Sequence, residues 1–226
     1  MNALPILFEN DEIILINKKS GLAVQGGEKV SHSVDELLAK QIGQKVYPVH
    51  RLDKDTSGIL VVAKSSVAAG KWTQLIASGS VKKQYTALCL GIPGGFSINN
   101  AAGKKGIFNS DVGSGKDKRS AHTEYIIKSV KMFSNEEIED TFPVSLLELT
   151  LGTGRTHQIR IHLAQNGCPI IADDKYGNFK TNKILRRYAK IKTLQLAATK
   201  LTLPINGKNT TFEIPLPDCF YNIDSL

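Results

Sequence analysis

The chain has 226 residues, of which 41% are hydrophobic, so it can form a sizeable core and global disorder is excluded. Its 29 basic and 21 acidic residues give a net charge of +8, which favours a polyanionic partner, with a generically basic soluble protein as the alternative. The three cysteines are far apart and form no CxxC, which argues against a disulfide framework or a zinc ribbon and indicates reduced thiols in the cytoplasm.

The first third of the chain predicts two strands and a short helix. Residues 12–17 form an apolar run typical of a strand, and Ser33 precedes a helix predicted over residues 34–39 as its N-cap. A second apolar run, residues 59–63, predicts a buried strand. The N-terminus lacks a basic region followed by a long apolar stretch, and no apolar run approaches the ~20 residues of a membrane span. We therefore expect a cytoplasmic protein without a membrane partner.

The middle of the chain predicts a helix, a strand and a polar surface segment. Residues 67–78 have helical composition and stop at Gly79, and residues 81–90 predict a strand. Residues 97–119 are rich in Gly, Ser, Asn and Lys, which predicts loops and short hairpins on the surface. This segment is either a solvated insertion or an arm that contacts RNA.

The last third predicts further strands separated by two helices. Residues 145–151 alternate as a strand, helices are predicted over 155–165 and 183–190, and residues 194–203 and 210–214 form a hairpin around the type I′ turn signal Asn206-Gly207. Strands outnumber helices and do not alternate regularly with them. The pattern favours an α+β fold with a mixed, mostly antiparallel sheet flanked by helices, in a single domain over residues 1–226.

A dense cluster of charge stands directly before the second buried strand. Residues 50–58 read His-Arg-Leu-Asp-Lys-Asp-Thr-Ser-Gly. Within them Asp53 is the main candidate for chemistry, because an ionised carboxylate can serve as nucleophile or base. It needs a cationic neighbour, and the second charged segment, residues 154–162, offers Arg155 and Arg160. On the predicted helix these lie about 140° apart, so only one is expected to reach a given carboxylate. A purely structural ion pair is the alternative.

Tyr85 is a second candidate, because it follows Lys83 on a predicted strand and an aromatic ring can stack on a flipped base. Ordinary half-buried packing is the alternative for a tyrosine in a strand.

Three separated segments resemble the RluA-type pseudouridine synthases. They are residues 50–58 with the strand after them, residues 83–88, and residues 154–162, followed by Gly167, Pro169, Ile170 and the Asp-Lys-Tyr-Gly of 174–177. Their order and spacing match as well, and the similarity extends from residue 6 to about 216. Gly26-Gly27 and residues 173–177 are most similar to the RluC branch, which acts on large-subunit ribosomal RNA.

The resemblance implies an RNA isomerase with a pseudouridine synthase catalytic fold. Asp53 would be the catalytic aspartate, Tyr85 would stack on the target uracil and assist proton removal, and Arg160 would pair with Asp53. Arg51 would fill the space left by the flipped-out uridine, and Ile159 would form an apolar wall against the base. We expect His50 and Arg155 to contact the RNA as well.

The family also implies that no metal, nucleotide or organic cofactor is needed. Ribosomal RNA is the expected partner, transfer RNA or a dual substrate the nearest alternative, and a monomer the expected state. Many relatives carry an S4-like RNA-binding domain before the catalytic one. Here the catalytic pattern begins almost at the first residue, so we expect that domain to be absent.

Three rival functions are open from the residues alone. Asp53 and Asp55 would share a face on a strand, as a retaining glycosidase requires, although Asp55 fits a turn better and Trp72 is the sole tryptophan. A metal hydrolase is disfavoured because His157 and His162 are five residues apart and not four. A non-catalytic RNA-binding module fits the charge but leaves Asp53, between two cations, without a purpose.

Overall fold

The computed structural model describes residues 3–27, 32–113, 118–135 and 138–225, which belong to two compact units. The first unit comprises Met1–Lys83 and Ala197–Pro217, and the second comprises Gln84–Leu196 and Asp218–Leu226. The single domain expected from the sequence stays a prediction.

Within the described residues, ten strands and four α-helices form. The strands are β1 (Ile6–Glu9), β2 (Ile13–Lys18), β3 (Tyr47–Pro48), β4 (Ser57–Ala63), β5 (Lys82–Leu90), β6 (Lys105–Val112), β7 (Arg119–Asn135), β8 (Ile138–Leu151), β9 (Leu196–Ile205) and β10 (Lys208–Glu213). The helices are α1 (Val34–Ile42), α2 (Ser66–Ala77), α3 (Gln158–Gln165) and α4 (Phe179–Tyr188). None of these helices is both long enough and apolar enough to cross a membrane.

The first unit contains the strand order β1-β2-β4-β9, with β3 added to β4 and β10 added to β9. All of these pairings are antiparallel except that of β4 with β9, which is parallel. The parallel contact explains Gly58, whose φ is 114° and whose missing Cβ would lie 2.2 Å from the carbonyl oxygen of Ala198. No side chain fits there.

The core of the first unit forms where β4 is covered by α2. Every residue of β4 is buried, as the continuous apolar run predicts. Ala68 and Trp72 of α2 pack against Ile59 and Val61 of that strand. This core holds the N-terminal end of β4 in a fixed place, and the charged residues 50–56 lie directly before that end.

The second unit contains the strand order β5-β8-β7-β6. The pairs β7–β8 and β6–β7 are antiparallel. Helix α3 contacts β6 and β7. Leu185 of α4 packs in an apolar cluster with Leu88 of β5, Val144 of β8 and Ile171. The mixed, mostly antiparallel arrangement with few helices confirms the predicted fold class.

Most of the predicted strands and helices are present with shifted ends. The predicted hairpin is formed by β9 and β10, and Asn206 and Gly207 have φ of 49° and 75°, as a type I′ turn requires. Ser33 stands at the start of α1, but its hydroxyl donates to the carboxylate of Asp35 and does not cap the helix. Helix α4 begins at Phe179, four residues before the predicted start, because the side chain of Asn178 caps it by accepting from the N–H of Thr181 at 3.1 Å.

The second unit contains more strand than the sequence predicts. The segment 97–119, predicted as loops and short hairpins, contains the eight-residue strand β6, which forms a hairpin with β7. The length of the 17-residue β7 and the first half of β8 were not predicted. In β7 the buried side chains alternate at Ala121, Thr123, Tyr125 and Ile127, so the signal was present, but small and polar residues weakened it. Residues 114–117 of the predicted surface segment lie outside the described part of the chain.

Candidate active-site segments

In the first unit, Asp53 opens a tight turn. The N–H of Thr56 donates to the carbonyl oxygen of Asp53 at 3.1 Å, which closes a β-turn over residues 53–56, and β4 begins at the next residue. Aspartate is favoured at the first position of such turns. The side chain of Asp53 is half-buried, whereas Arg51 and Lys54 are exposed. The carboxylate is therefore both anchored to a buried strand and within reach of solvent.

A second segment, residues 18–21, binds the carbonyl groups of this turn. The ammonium of Lys18 and the N–H of Gly21 both donate to the carbonyl of Lys54, at 2.9 Å each. The hydroxyl of Ser20 donates to the carbonyl of Asp55 at 2.8 Å. Together with the bond that closes the turn, three consecutive carbonyls, those of residues 53, 54 and 55, accept hydrogen bonds. The main chain of the turn is therefore fixed by a hydrogen bond at each of these three residues.

Lys18 is fully buried at the end of β2, and sequence reasoning gave it no role. Besides the carbonyl of Lys54 it donates to those of Lys19 at 3.1 Å and Leu22 at 2.8 Å. Burial lowers its pKa to about 8, while the negative charges of Asp55 and Asp53 act in the opposite direction. The ammonium form has three donors for three acceptors, so it is matched to its surroundings at neutral pH.

The turn removes a premise of the glycosidase hypothesis. Asp53 and Asp55 would share a face only on a strand, but residue 55 lies within the turn and the strand begins at Ser57. Asp55 therefore lies in a turn, as the sequence favours, and this turn is closed by the hydrogen bond to the carbonyl of Asp53.

His50 has a structural task in this segment. Its Nε2 accepts a hydrogen bond from the N–H of Val61 at 3.0 Å, which extends the pairing of β3 with β4 beyond Pro48. Burial, and to a smaller extent the charge of Lys83, lower the pKa of His50 to about 3, although a hydrogen bond with the backbone of Arg51 acts in the opposite direction. The ring is thus neutral at physiological pH, with its proton on Nδ1. The contact of His50 with RNA stays a prediction, and in such a contact the ring would carry no positive charge.

In the second unit, the side chain of Arg160 is buried on α3 and bound by two aspartates. Its Nε donates to Oδ2 of Asp173 at 2.7 Å and its Nη2 to Oδ1 of the same residue at 2.8 Å, a bidentate pair. Nη2 also donates to Asp174 at 2.9 Å. The guanidinium lies over the ring of Tyr176, 5.3 Å from its centroid. The pairing of Arg160 with Asp53 stays a prediction.

Asp173 is the centre of this arrangement. It is buried, and its Oδ1 also accepts from the N–H groups of Lys175 and Tyr176 at 2.9 Å each. Burial raises its pKa, but the hydrogen bonds from Arg160 and from the two N–H groups, with the charge of Arg160, lower it by more, so the net shift is downward. The carboxylate is ionised and holds the guanidinium in one orientation.

The start of α3 differs from the prediction. The helix begins at Gln158 and not at residue 155, because His157 has a left-handed φ of 55° that interrupts it. Arg155 is exposed in the loop before the helix, so the angle of about 140° between it and Arg160 does not apply. Gln158 fixes this loop: its Oε1 accepts from Thr153 and from the N–H of Arg155, at 2.7 and 3.1 Å.

The two histidines of this segment have separate partners. Nδ1 of His157 is 3.1 Å from the hydroxyl of Tyr176, and Nδ1 of the buried His162 is 3.0 Å from the hydroxyl of Thr123. Across the part of the chain that the structure describes, no three His, Cys, Asp or Glu side chains are grouped so that they could hold a metal ion. Each of the two rings is thus within hydrogen-bonding distance of a hydroxyl group.

The other predicted site residues lie in the second unit. Tyr85 is in β5 and is buried, with 7% of its surface exposed, and Ile159 is in α3 with 5% exposed. Both are in regular elements and so have defined positions. Sequence reasoning assigned no role to Lys18, Gln158 or Asp173. Of these, Gln158 and Asp173 carried a signal, since residues 154–162 and 173–177 were part of the recognised pattern.

Comparisons with known proteins agree on one family. Residues 12–165 match the family described as RNA pseudouridylate synthase. Ribosomal large subunit pseudouridine synthase C of Rickettsia bellii (strain RML369-C) is 35% identical over 225 residues, which cover 96% of this chain and 70% of that protein. Ribosomal large subunit pseudouridine synthase D of Nitrosomonas europaea is 34% identical over 95% of this chain and 62% of its own length.

Two solved structures share the fold. Human RNA Pseudouridylate Synthase Domain Containing 1 matches with a TM-score of 0.73 and 21% identity, over 98% of this chain and 92% of that one. Human RNA Pseudouridylate Synthase Domain Containing 4 matches with a TM-score of 0.71 and 24% identity, over 96% and 90%.

Proposed function

This chain belongs to the RNA pseudouridylate synthase family and is therefore an isomerase, and from that premise we propose that Asp53 is its catalytic carboxylate and large-subunit ribosomal RNA its substrate. One observation carries the assignment of Asp53: the three consecutive carbonyls of its turn are all hydrogen-bonded while its own side chain is half-exposed. Such a carboxylate keeps one position without being sealed from substrate.

The reaction moves a base without adding or removing a group. The bond from N1 of uracil to C1′ of ribose breaks, a bond from C1′ to C5 forms, the proton on C5 leaves to solvent, and N1 takes up a proton. A carboxylate serves this chemistry as a nucleophile at C1′ or as a base that leads to a glycal. Either role requires an ionised Asp53, and the pairing with Arg160 that the family resemblance implies would keep it so.

The base must leave the helical stack before a side chain can reach its glycosidic bond, which costs a few kcal/mol. We assign Arg51, which is exposed beside Asp53, to the space that the uridine leaves, and Tyr85 with Ile159 to the face of the flipped base. Arg155, also exposed, and the neutral His50 complete the expected RNA contacts. No step of this scheme requires a cofactor or a second subunit.

Support for a ribosomal substrate comes from the relatives. The similar proteins from Rickettsia bellii and Nitrosomonas europaea are named as ribosomal large subunit synthases. Sequence and structure of this chain leave transfer RNA as the alternative substrate, which the experiment below distinguishes.

The test is tritium release from RNA that carries [5-³H]uridine, without added metal or nucleotide. Wild type, Asp53→Asn and the matched control Asp55→Asn are each given large-subunit ribosomal RNA and transfer RNA transcripts. We expect release from ribosomal RNA by wild type and by Asp55→Asn, and none by a folded Asp53→Asn that still binds RNA. Turnover by Asp53→Asn, or its loss in Asp55→Asn alone, would contradict the assignment. Release from transfer RNA only would contradict the proposal that ribosomal RNA is the substrate.

A further inference from the structure

The positive charge of this chain is concentrated in one segment that the catalytic scheme does not use. Residues 175–192, here called the basic segment, contain seven basic residues and no aspartate or glutamate. The rest of the chain has 22 basic and 21 acidic residues and is almost neutral. The basic segment, which includes α4, therefore carries a net charge of +7 by itself, within a second unit that also contains acidic residues elsewhere.

Helix α4 presents these cations on one face. Lys180, Lys183, Arg186 and Arg187 are all exposed. At 100° per residue they fall within an arc of about 120°, and neighbours at three- and four-residue spacing are about 5–6 Å apart at Cβ. Phe179, which is 60% exposed, lies in the same arc. An exposed aromatic ring among cations is suited to nucleotides, since it can stack on a base.

The opposite face of α4 is packed in the protein. Leu185 is buried with Leu88 and Ile171, and Ile184 and Tyr188 pack against the same cluster. A helix that binds a membrane surface inserts its apolar face into the lipid. Because the apolar face of α4 is already covered, the helix has only its cationic face to offer, and this favours a polyanion with a hydrated backbone over a lipid surface.

The basic helix is joined rigidly to the Arg160–Asp173 pair. Asn182 of α4 accepts a hydrogen bond from the N–H of Ala172 at 3.0 Å and donates to the carbonyl of Asp173 at 3.1 Å. Gly177, between them, has no room for a side chain: a Cβ there would lie 2.3 Å from the carbonyl oxygen of Asp173 and 2.7 Å from Nδ2 of Asn182. The cations of α4 thus hold a fixed position relative to Arg160.

We propose that the exposed basic face of α4 binds phosphates of the substrate RNA outside the target uridine. This inference rests on the proposed function and names the surface by which the substrate is held. Phosphate contacts set position and affinity and do not read sequence. The face therefore anchors the RNA in register with Arg160, and the choice of uridine belongs to other contacts.

The test compares two double variants on solvent-exposed residues. Lys183→Ala/Arg186→Ala removes two cations of the α4 face, and Lys128→Ala/Lys208→Ala removes two exposed lysines from β7 and β10. Equilibrium binding to a large-subunit ribosomal RNA transcript is measured at several salt concentrations, and tritium release is measured in parallel. Thermal melting confirms that both variants are folded.

We expect Lys183→Ala/Arg186→Ala to lower the slope of log Kd against log salt by about 2, because each of the two cations neutralises one phosphate in the wild type. Its KM should rise while turnover at saturating RNA is kept, and the control should match wild type. Turnover with an unchanged slope in both variants would overturn this inference and leave the proposed function intact, whereas no turnover by wild type would count against the function itself. A third outcome is that wild type and the control bind phosphatidylserine vesicles, the α4 variant does not, and the salt slope for RNA is unchanged. That outcome would show that the basic face of α4 binds membranes and not RNA.

Discussion

The two candidate active-site segments are held by different means. Asp53, in the first unit, is positioned through its main chain, because hydrogen bonds to the carbonyls of its turn fix the backbone while its side chain is half-exposed. Arg160, in the second unit, is positioned through its side chain, which is buried and bound by Asp173 along the edge formed by Nε and Nη2.

The difference follows from what each group is expected to do. A carboxylate that must meet a substrate atom needs open surroundings, and hydrogen bonds to the backbone can fix its position without covering its side chain. A guanidinium that only orients charge can be buried, provided that a carboxylate compensates it. Substitutions in the two segments should therefore have different effects. Removal of a hydrogen bond to the turn should displace Asp53, whereas removal of Asp173 should take away the bidentate partner of the buried Arg160.

The largest effect is expected in the second unit, for Asp173→Ala. Removing one partner of a buried ion pair costs about 3–5 kcal/mol, so the free energy of unfolding should fall by that amount. The matched control is Asp174→Ala, because that side chain also accepts from Arg160 but is 81% exposed and should cost about 1 kcal/mol or less. Urea unfolding of both variants measures the difference. Equal losses would mean that burial of the pair does not matter.

A smaller effect is expected in the first unit, for Lys18→Met. The substitution keeps the volume but removes the ammonium donor from the carbonyls of Lys19, Leu22 and Lys54, of which that of Lys54 keeps the N–H of Gly21, at a cost of about 1–3 kcal/mol in the free energy of unfolding. Because one of these carbonyls belongs to Lys54, turnover should fall more than RNA binding does. The adjacent and exposed Lys19→Met is the control, and it should leave both unchanged. A Lys18→Met enzyme with wild-type turnover would show that Asp53 is positioned by something other than its turn.

The smallest effect is expected for Ser20→Ala, which removes a single hydrogen bond to the carbonyl of Asp55. We expect a loss of about 1 kcal/mol, or about 2–4 °C in Tm for a chain of this size. Ser78→Ala, which removes an exposed hydroxyl at the end of α2, should change stability by about 0.5 kcal/mol or less. Differential scanning calorimetry separates the two, and identical melting temperatures would remove Ser20 from the set of turn contacts.

The fold class and the secondary-structure elements with clear local signals could be predicted from the sequence. The strand β4 was visible as an apolar run and the β9–β10 hairpin as an Asn-Gly turn, because these signals are local. Strand β7 was missed although its buried residues alternate, because threonine and the small alanine occupy core positions where large apolar residues usually stand. The start of α3 was misplaced because the conformation of His157 and the hydrogen bonds of Gln158 set it, and neither is a matter of helix propensity.

The sequence by itself determined the family, the fold class and the segment in which Asp53 lies, because these depend on residue types at short and fixed spacings. Only the tertiary structure decided that Lys18 is buried beneath the turn of Asp53, that Asp173 is bound to Arg160, and that the cations of α4 share one exposed face. The reason is physical: a buried charge is stabilised by whichever groups the fold brings within hydrogen-bonding distance. The spacing of residues along the sequence does not show which groups these will be.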